Sequence, residues 1–221
     1  MKLIIMGPPG SGKGTQASLL TRRMDLPIVS TGNMLREAIA EETQVGLNAK
    51  AYVSAGKLVP DDVVLGIVKE RLSRPDLAGG FMLDGFPRTQ AQAEALDGMG
   101  VEIDLVVSIE VADAEIERRM QCRRVCRSCS KSYHTELNPP AKDGVCDACQ
   151  GVVSIRDDDM PDIVRARLAV YHEQSEPVKS HYEAKGKLIC VASMDVIEDT
   201  QRNLLAQLEE FQRKNPAESP A

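Results

Sequence analysis

Tryptophan is absent from this sequence of 221 residues, and phenylalanine and tyrosine together supply only 3% of it. The hydrophobic core must therefore be mainly aliphatic, although an apolar share of 43% is ordinary for a globular protein. No run of 18 apolar residues occurs, so we expect no membrane-spanning helix. The apolar start, Leu3 to Met6, is too short for a signal peptide, and we expect a cytoplasmic protein.

Positive charge is also in short supply. Lysine and arginine number 27 against 33 aspartate and glutamate residues, and the formal net charge is −6. This balance opposes nonspecific attraction to nucleic acid or to anionic membranes, so we expect neither as a partner. The chain contains six cysteines, which in a cytoplasmic protein indicate metal binding or catalysis before disulfides.

Short apolar runs alternate with helical patterns along most of the chain. Strands are predicted at residues 3–6, 27–30, 81–84, 105–111 and 188–192, with helices between and after them. This alternation predicts an α/β fold with a doubly wound, five-stranded parallel sheet. Residues 122–159 differ in character, since they hold four cysteines and an Asn-Pro-Pro turn, and they predict an inserted subdomain. Residues 214–221 are polar and are expected to be frayed.

A glycine-rich loop, with the sequence GPPGSGKGT over residues 7–15, follows the first predicted strand. Its glycines let backbone N–H groups curl around phosphate oxygens, and the helix that follows adds its dipole. The lysine supplies a point charge near the β- and γ-phosphates. We therefore predict that a nucleoside triphosphate is bound by Gly10, Ser11, Gly12, Lys13, Gly14 and Thr15.

The inserted segment contains two Cys-x2-Cys pairs, separated by sixteen residues: Cys126, Cys129, Cys146 and Cys149. This spacing is typical of a tetrahedral four-sulfur site, for which zinc is the default metal and iron is possible. Four protein ligands leave no open position, so the role should be structural, in a segment too small to build its own core. The alternatives are two disulfides, or a zinc ribbon that binds nucleic acid. Cys122 and Cys190 remain, and we expect both to be buried as small apolar residues.

Further motifs follow the loop in order: STGNMLR at 30–36, DGFPRTQ at 84–90, RRV at 123–125, YH at 133–134, NPP at 138–140, RDDD at 156–159 and RAR at 165–167. The set covers nearly the whole chain and resembles the adenylate kinase family, in the form with a full lid. The resemblance implies a P-loop nucleoside monophosphate kinase fold. Its core would comprise residues 1–29, 60–121 and 160–221, with a helical AMP-binding insert at 30–59 and a metal-clipped lid at 122–159.

The same resemblance implies roles for individual side chains. The catalytic set would be Lys13, Arg88, Arg123, Arg156 and Arg167. The donor ATP would also contact Arg119, Arg123, Tyr133 and His134. The acceptor AMP would be bound by Thr31, Arg36, Lys57, Leu58, Val59, Gly85, Arg88, Gln92, Arg156 and Arg167. An amide such as that of Gln92 can bind adenine through a paired donor and acceptor, and arginines suit a reaction that depends on charge neutralisation.

Asp84 ends the third predicted strand, where a carboxylate suits Mg²⁺ bound through water. Gly85 follows it, whereas P-loop motors often place a glutamate there to activate water, and this favours transfer over hydrolysis. The chain departs from the family at three places. Asn33 replaces the usual aspartate, Cys122 replaces a glycine at the lid hinge, and residues 192–194 lack an Asp-Gly pair.

The implied reaction is the reversible, Mg²⁺-dependent transfer ATP + AMP = 2 ADP, by a monomer whose partners are ATP, AMP and ADP. A GTP:AMP phosphotransferase or another monophosphate kinase is the close alternative. A remote one is a P-loop protein that binds nucleic acid through a zinc ribbon. Turnover that depends on AMP separates the kinases from the remote alternative.

Overall fold

A computed structural model describes residues 1–215 of the chain. Five strands form one parallel sheet in the order β2-β3-β1-β4-β8. These strands are β1 (Lys2–Met6), β2 (Ile28–Ser30), β3 (Phe81–Asp84), β4 (Leu105–Glu110) and β8 (Leu188–Ala192). The predicted doubly wound α/β fold is confirmed, with strand ends within one residue of those expected. Residues 216–221 of the predicted frayed tail lie outside the described part.

Helices pack around this sheet: α1 (Lys13–Met24), α2 (Thr31–Ala40), α3 (Gln44–Ser54), α4 (Asp61–Leu72), α5 (Gln90–Gly98), α6 (Asp113–Cys122), α7 (Pro161–Val170), α8 (Val178–Glu183) and α9 (Ile197–Lys214). A π-helical turn, Tyr171–Ser175, continues α7. Among the described residues, no helix is long and apolar enough to cross a membrane.

The sheet is buried on both faces, as a parallel sheet requires. Along β1 the side chains alternate between two apolar clusters, with Leu3 and Ile5 in one and Ile4 and Met6 in the other. Because β1 is central, with β3 on one side and β4 on the other, a crevice is expected beyond its carboxyl end. The glycine-rich loop begins at that end.

A second, three-stranded antiparallel sheet lies within residues 122–159. Its strands are β5 (Arg123–Cys126), β6 (Ser132–His134) and β7 (Val153–Ser154), in the order β6-β5-β7. Its buried cluster comprises only Cys126, Tyr133, Cys146 and Val153. So small an apolar core contributes little free energy of folding, and we therefore expect cross-links to add to the stability of this sheet.

The two remaining cysteines do not behave as expected. Cys190 lies on β8, at the edge of the large sheet, and is exposed, while Cys122 at the end of α6 is only partly buried. The prediction that both are buried is therefore wrong. An edge strand has no neighbour on one side, which leaves part of its surface uncovered.

Candidate active site

The glycine-rich loop turns tightly between β1 and α1. Gly7 has φ of 142° and lies against β4, where an added Cβ would meet the carbonyl oxygen of Ile109 at 2.7 Å. Gly12 has φ of 88° and immediately precedes α1. These backbone conformations are open to glycine and strained for other residues. They leave the loop N–H groups and the amino terminus of α1 available for phosphate oxygens.

Lys13 extends across this loop. Its Nζ donates to the carbonyl oxygen of Pro8 at 3.1 Å. Burial lowers the pKa of Lys13 to about 7; Asp84 opposes the shift, and Arg88 and Arg167 add to it. The amine is therefore a buried cation with too little negative charge around it, which phosphate groups would supply.

One cavity brings together residues from motifs that are far apart in the sequence. From the loop it is lined by Gly7, Pro9 and Lys13, whereas Gly10, Ser11, Gly12, Gly14 and Thr15 are not part of the lining. Nine of the ten predicted acceptor residues also line it: Thr31, Arg36, Lys57, Leu58, Val59, Gly85, Arg88, Gln92 and Arg167. Arg156 is absent from this lining, but its guanidinium pairs with Asp158, which does line the cavity. The assignment of each residue to AMP or ATP stays a prediction.

Two carboxylates pair with three of the predicted catalytic arginines. Asp159 pairs with Arg123 at 3.1 Å and with Arg167 at 3.4 Å. Asp158 pairs with Arg156 and, at 3.2 Å, with Arg167. Burial acts to raise the pKa of Asp158, yet Arg156 and Arg167 lower it to about 2. In the sequence these two aspartates stand out only as part of the RDDD motif, and no pattern indicates that they pair with these arginines.

Positive charge remains in excess at the site. Arg123 and Arg167 lie near enough to both Lys13 and Arg36 for their charges to lower the pKa of each. Burial, then the nearby Arg156, lowers the pKa of Arg36 to about 9. A concentration of buried cations that exceeds its carboxylates is suited to polyanionic ligands.

Arg36 and Arg88 each hydrogen-bond to a neutral oxygen. The Arg36 guanidinium folds back over Gly32, where an added Cβ would lie 3.2 Å from Nη1, and its Nη2 donates to Asn33 Oδ1 at 2.5 Å. Arg88 Nε donates to the Gly85 carbonyl oxygen at 2.7 Å. Both cations are thus held by neutral oxygens, which leaves their charges free for an anion.

Only one of the two carboxylate oxygens of Asp84 accepts a hydrogen bond. Its Oδ2 accepts a hydrogen bond from Ser30 Oγ at 3.0 Å, whereas Oδ1 is buried without a partner. A buried carboxylate oxygen with no partner is costly, unless a bound group completes it. The oxygen chemistry fits the predicted water-mediated Mg²⁺ contact.

The predicted donor-base residues lie at the junction of α6, β6 and the segment after β8. Arg119 bonds Glu115 Oε1 at 2.5 Å, Ser193 Oγ at 2.7 Å and the Met194 carbonyl oxygen at 3.3 Å. Ser193 and Met194, where the usual Asp-Gly pair is missing, therefore orient Arg119. This link spans 74 positions and could not be predicted from the sequence.

His134 and Tyr133 are adjacent on β6 but differ in environment. His134 Nδ1 accepts from the backbone N–H groups of Glu136 and Leu137, so its proton is on Nε2, which is buried without a partner. A free buried donor suits a nitrogen of a nucleobase. The ring of Tyr133 instead lies in the buried cluster of the small sheet, and its hydroxyl donates to Cys146 Sγ at 3.2 Å. Contact between Tyr133 and a nucleotide would therefore use its backbone.

The four predicted metal ligands converge. Their Sγ atoms all lie within 4.8 Å of one another, with 3.4 Å between Cys126 and Cys149 and 3.5 Å between Cys129 and Cys146. A disulfide would need about 2.05 Å between two sulfurs, so these distances do not match the disulfide alternative. Tetrahedral coordination at about 2.3 Å would place the sulfurs about 3.8 Å apart. The cluster therefore fits a metal ion, whose identity the sulfurs alone do not select.

Comparison with known proteins decides the family. A model of the adenylate kinase family matches residues 5–187. A protein named adenylate kinase from Geobacter sulfurreducens is 51% identical, over 95% of this chain and 98% of the relative. Adenylate kinases from Caldicellulosiruptor bescii and Archaeoglobus fulgidus are 49% and 48% identical, over 94% and 96% of this chain and 99% of each relative.

The chain belongs to the adenylate kinase family. It is therefore a kinase, and the alternative of a nucleic-acid-binding P-loop protein is not favoured. Adenylate kinases use Mg²⁺ with ATP, which agrees with the unpartnered oxygen of Asp84.

Proposed function

We propose that this chain catalyses ATP + AMP = 2 ADP by direct transfer between two nucleotides in the described cavity. The observation that carries the proposal is the set of cations that line one cavity, Lys13, Arg36, Arg88 and Arg167. One part of this set is at the phosphate loop, and another is the pair of arginines held by neutral oxygens. A single-nucleotide enzyme would need only the first part. Both parts belong to one chain, which supports a monomer as the active form.

In this proposal the loop residues Gly10 to Thr15 bind the phosphates of ATP, and Arg36 and Arg88 bind the phosphate of AMP. An oxygen of the AMP phosphate attacks the γ-phosphorus, and the bond from that phosphorus to the β–γ bridging oxygen breaks, so that both products are ADP. The attacking oxygen is already ionised, so no general base is needed. Arg123, Arg156 and Arg167 neutralise charge on the transferred group, whose transition state spreads it over three oxygens.

Asp158 and Asp159 keep these arginines in position before the nucleotides bind. Their ion pairs bring together the guanidinium groups of Arg123, Arg156 and Arg167. Such preorganisation reduces the reorganisation that binding would otherwise require. When bound, Mg²⁺ would neutralise phosphate oxygens, and Asp84 Oδ1 would hold one of its waters.

The proposal also divides the chain into working parts. Residues 122–159 would close over ATP as a lid and exclude water, residues 30–59 would bind AMP, and the remainder would be the core. Arg123, Arg156 and His134 all belong to the lid, so its closure would complete the site. We also propose zinc as the lid metal, because four convergent cysteine sulfurs suit a tetrahedral zinc site, and the cytoplasm as the location, because such a cluster is more typical of reducing compartments than of disulfide-rich secreted proteins.

The purified full chain should form ADP from ATP and AMP, at a rate that saturates with each nucleotide. Without AMP, release of phosphate from ATP should be at least about a hundredfold slower, because the fully assembled site is lacking. A panel of donor triphosphates tests the GTP:AMP alternative. No AMP-dependent turnover by metal-loaded protein would reject the proposal, as would rapid hydrolysis of ATP alone.

Asn33 offers a test of the acceptor end. Asn33→Asp would replace the neutral partner of Arg36 with a carboxylate that competes with the AMP phosphate. We expect KM for AMP to rise about tenfold, as for the loss of one charge-assisted hydrogen bond, with KM for ATP and kcat nearly unchanged.

The rival role of residue 33 is the one implied by the usual aspartate, near the metal waters. If that role applies here, Asn33→Asp would instead lower the Mg²⁺ concentration needed for half-maximal rate and leave KM for AMP unchanged. Asn48→Asp, on the exposed part of α3, is the control for added negative charge. Measuring the rate against AMP and against Mg²⁺ for all three proteins separates the two roles.

A further inference from the structure

Gln92, in the first turn of α5, lines the cavity but is only 2% exposed. Its side-chain amide is held at both ends. The backbone N–H of Arg88 donates to Gln92 Oε1 at 2.7 Å, and Gln92 Nε2 donates to Asp61 Oδ1 at 2.7 Å. A backbone N–H can only donate and a carboxylate can only accept, so the two ends of the amide cannot be exchanged.

Asp61 reaches this amide from another element. It is the first residue of α4, 31 positions before Gln92, and it is half-buried. Its second oxygen, Oδ2, accepts from Thr89 Oγ1 at 2.9 Å. That hydroxyl also accepts from the backbone N–H of Gln92 at 3.1 Å and so caps α5. Both carboxylate oxygens are therefore used to hold α5 and its amide in one arrangement.

The fixed amide has one donor and one acceptor to spare. Gln92 Nε2 keeps a second N–H, and Oε1 keeps a second lone pair. Adenine presents an N6 amino donor beside the N1 acceptor, which matches this pair. Hypoxanthine and guanine present an O6 acceptor beside an N1–H donor, in the reverse order. They would need a rotated amide, with Oε1 against the Asp61 carboxylate and Nε2 against the Arg88 N–H.

We propose that Asp61 is a positioning residue that makes the acceptor site specific for 6-aminopurine over 6-oxopurine monophosphates. It acts through Gln92 and does not itself contact the base. The inference rests on the proposed function, because it assumes that the acceptor base lies against Gln92. Its energetic origin is repulsion: a 6-oxopurine would leave buried polar groups facing groups of the same kind.

Asp61→Asn tests this role with little change in shape. An asparagine at 61 can present either an N–H or an oxygen to Gln92, so one of the two restraints on the amide is lost. The matched control is Asp62→Asn, which removes a carboxylate from the same first turn of α4 but from an exposed side chain. Both variants lose the same interaction with the helix dipole. Only Asp61→Asn alters the network around Gln92.

The experiment measures kcat/KM for AMP and for inosine monophosphate, with ATP as donor, for the wild type and both variants. The wild type should prefer AMP by at least about a hundredfold. Asp61→Asn should reduce this preference about tenfold, chiefly by improving use of inosine monophosphate, and Asp62→Asn should leave it unchanged. Calorimetric binding of the two monophosphates gives the same ratio without turnover.

Several results would overturn the inference. Equal use of the two monophosphates by the wild type would overturn it before any variant is measured. A variant Asp61→Asn that loses activity towards both in the same proportion would show a purely structural role. If Asp61→Asn does not fold, Asp61→Ser replaces it. An unchanged preference for AMP over inosine monophosphate in Asp61→Ser would also show that Asp61 does not set the specificity. A wild type with no AMP turnover would reject the proposed function instead, while the binding ratio would still test Asp61.

Discussion

Lys13→Met is expected to lower kcat/KM for ATP by about a thousandfold or more while leaving the protein at least as stable as the wild type. Lys13 is the lysine of the phosphate loop and lines the cavity, and the loss of one positioned charge at a transferring phosphoryl group costs about this much. Methionine keeps most of the length of the side chain and removes only the buried amine.

The stability part of this prediction follows from the direction of the pKa shift. Burial lowers the pKa of Lys13 from 10.5 to about 7, so the folded protein binds this proton more weakly than the unfolded chain. Lys13 therefore destabilises the ligand-free fold at every pH below its unfolded pKa, and the cost grows as the pH falls towards 7. The melting temperature of Lys13→Met should exceed that of the wild type at pH 7, and the difference should shrink at pH 10.

Lys69→Met, on the exposed surface of α4, is the control for the removal of a lysine. It should change neither kcat/KM nor the difference in melting temperature between the two pH values. A Lys13→Met protein that keeps more than about a tenth of the wild-type kcat/KM would contradict the role of the loop, because neighbouring arginines would then suffice. ATP restores the missing negative charge, so saturating ATP should stabilise the wild type more than the variant.

The second large effect is expected at the four-cysteine cluster. Cys146 is fully buried and accepts the hydroxyl hydrogen of Tyr133, so Cys146→Ser would remove a ligand from the centre of the lid. Structural zinc contributes about 10 kcal/mol or more to the folding of small zinc-binding peptides. If about 3 kcal/mol of this is lost here, the melting temperature should fall by about 6–12 °C.

The same change should also lower activity, because two predicted catalytic arginines, Arg123 and Arg156, flank the cluster in the sequence. Loosening the cluster would disturb their ion pairs with Asp159 and Asp158. Limited proteolysis should cut within residues 122–159 before any other described segment. Cys190→Ser is the matched control, because Cys190 is exposed and distant in the sequence from the cluster. It should retain one metal ion per chain and the wild-type melting temperature.

Metal analysis completes this test. One zinc ion per wild-type chain and none in Cys146→Ser is the expected result. Visible absorption typical of iron bound to four cysteines would identify the metal as iron instead of zinc. The structural role proposed for the metal would be unchanged. A chelated, metal-free wild type that melts unchanged would show that the cluster does not stabilise the lid.

Local patterns were sufficient for much of this protein. The five strands could be predicted because a buried parallel strand needs a continuous apolar run, and each run here is bounded by turn residues. The phosphate loop and the four cysteines could be predicted because their chemistry needs particular residue types at short, fixed spacings. Neither depends on how distant parts of the chain meet.

Contacts between side chains far apart in the sequence could not be predicted in this way. The carboxylate of Asp61 meets Gln92 across 31 positions, and Arg119 meets Ser193 across 74. Asp159 meets Arg123 across the whole lid insert. No periodicity specifies such pairs, because a polar side chain on a helix or loop looks the same in sequence whether it is solvated or buried against a partner.

Tyr133 and His134 show the difference between what the sequence determines and what the tertiary structure decides. The sequence by itself determined the fold class, the phosphate loop, the cysteine cluster and the resemblance that implied two nucleotides. It could not determine that the ring of Tyr133 turns towards Cys146 while His134 keeps a buried donor without a partner. Only the tertiary structure decided this, because side chains of adjacent strand residues point to opposite faces, and the packing of the small sheet selects the face that is buried.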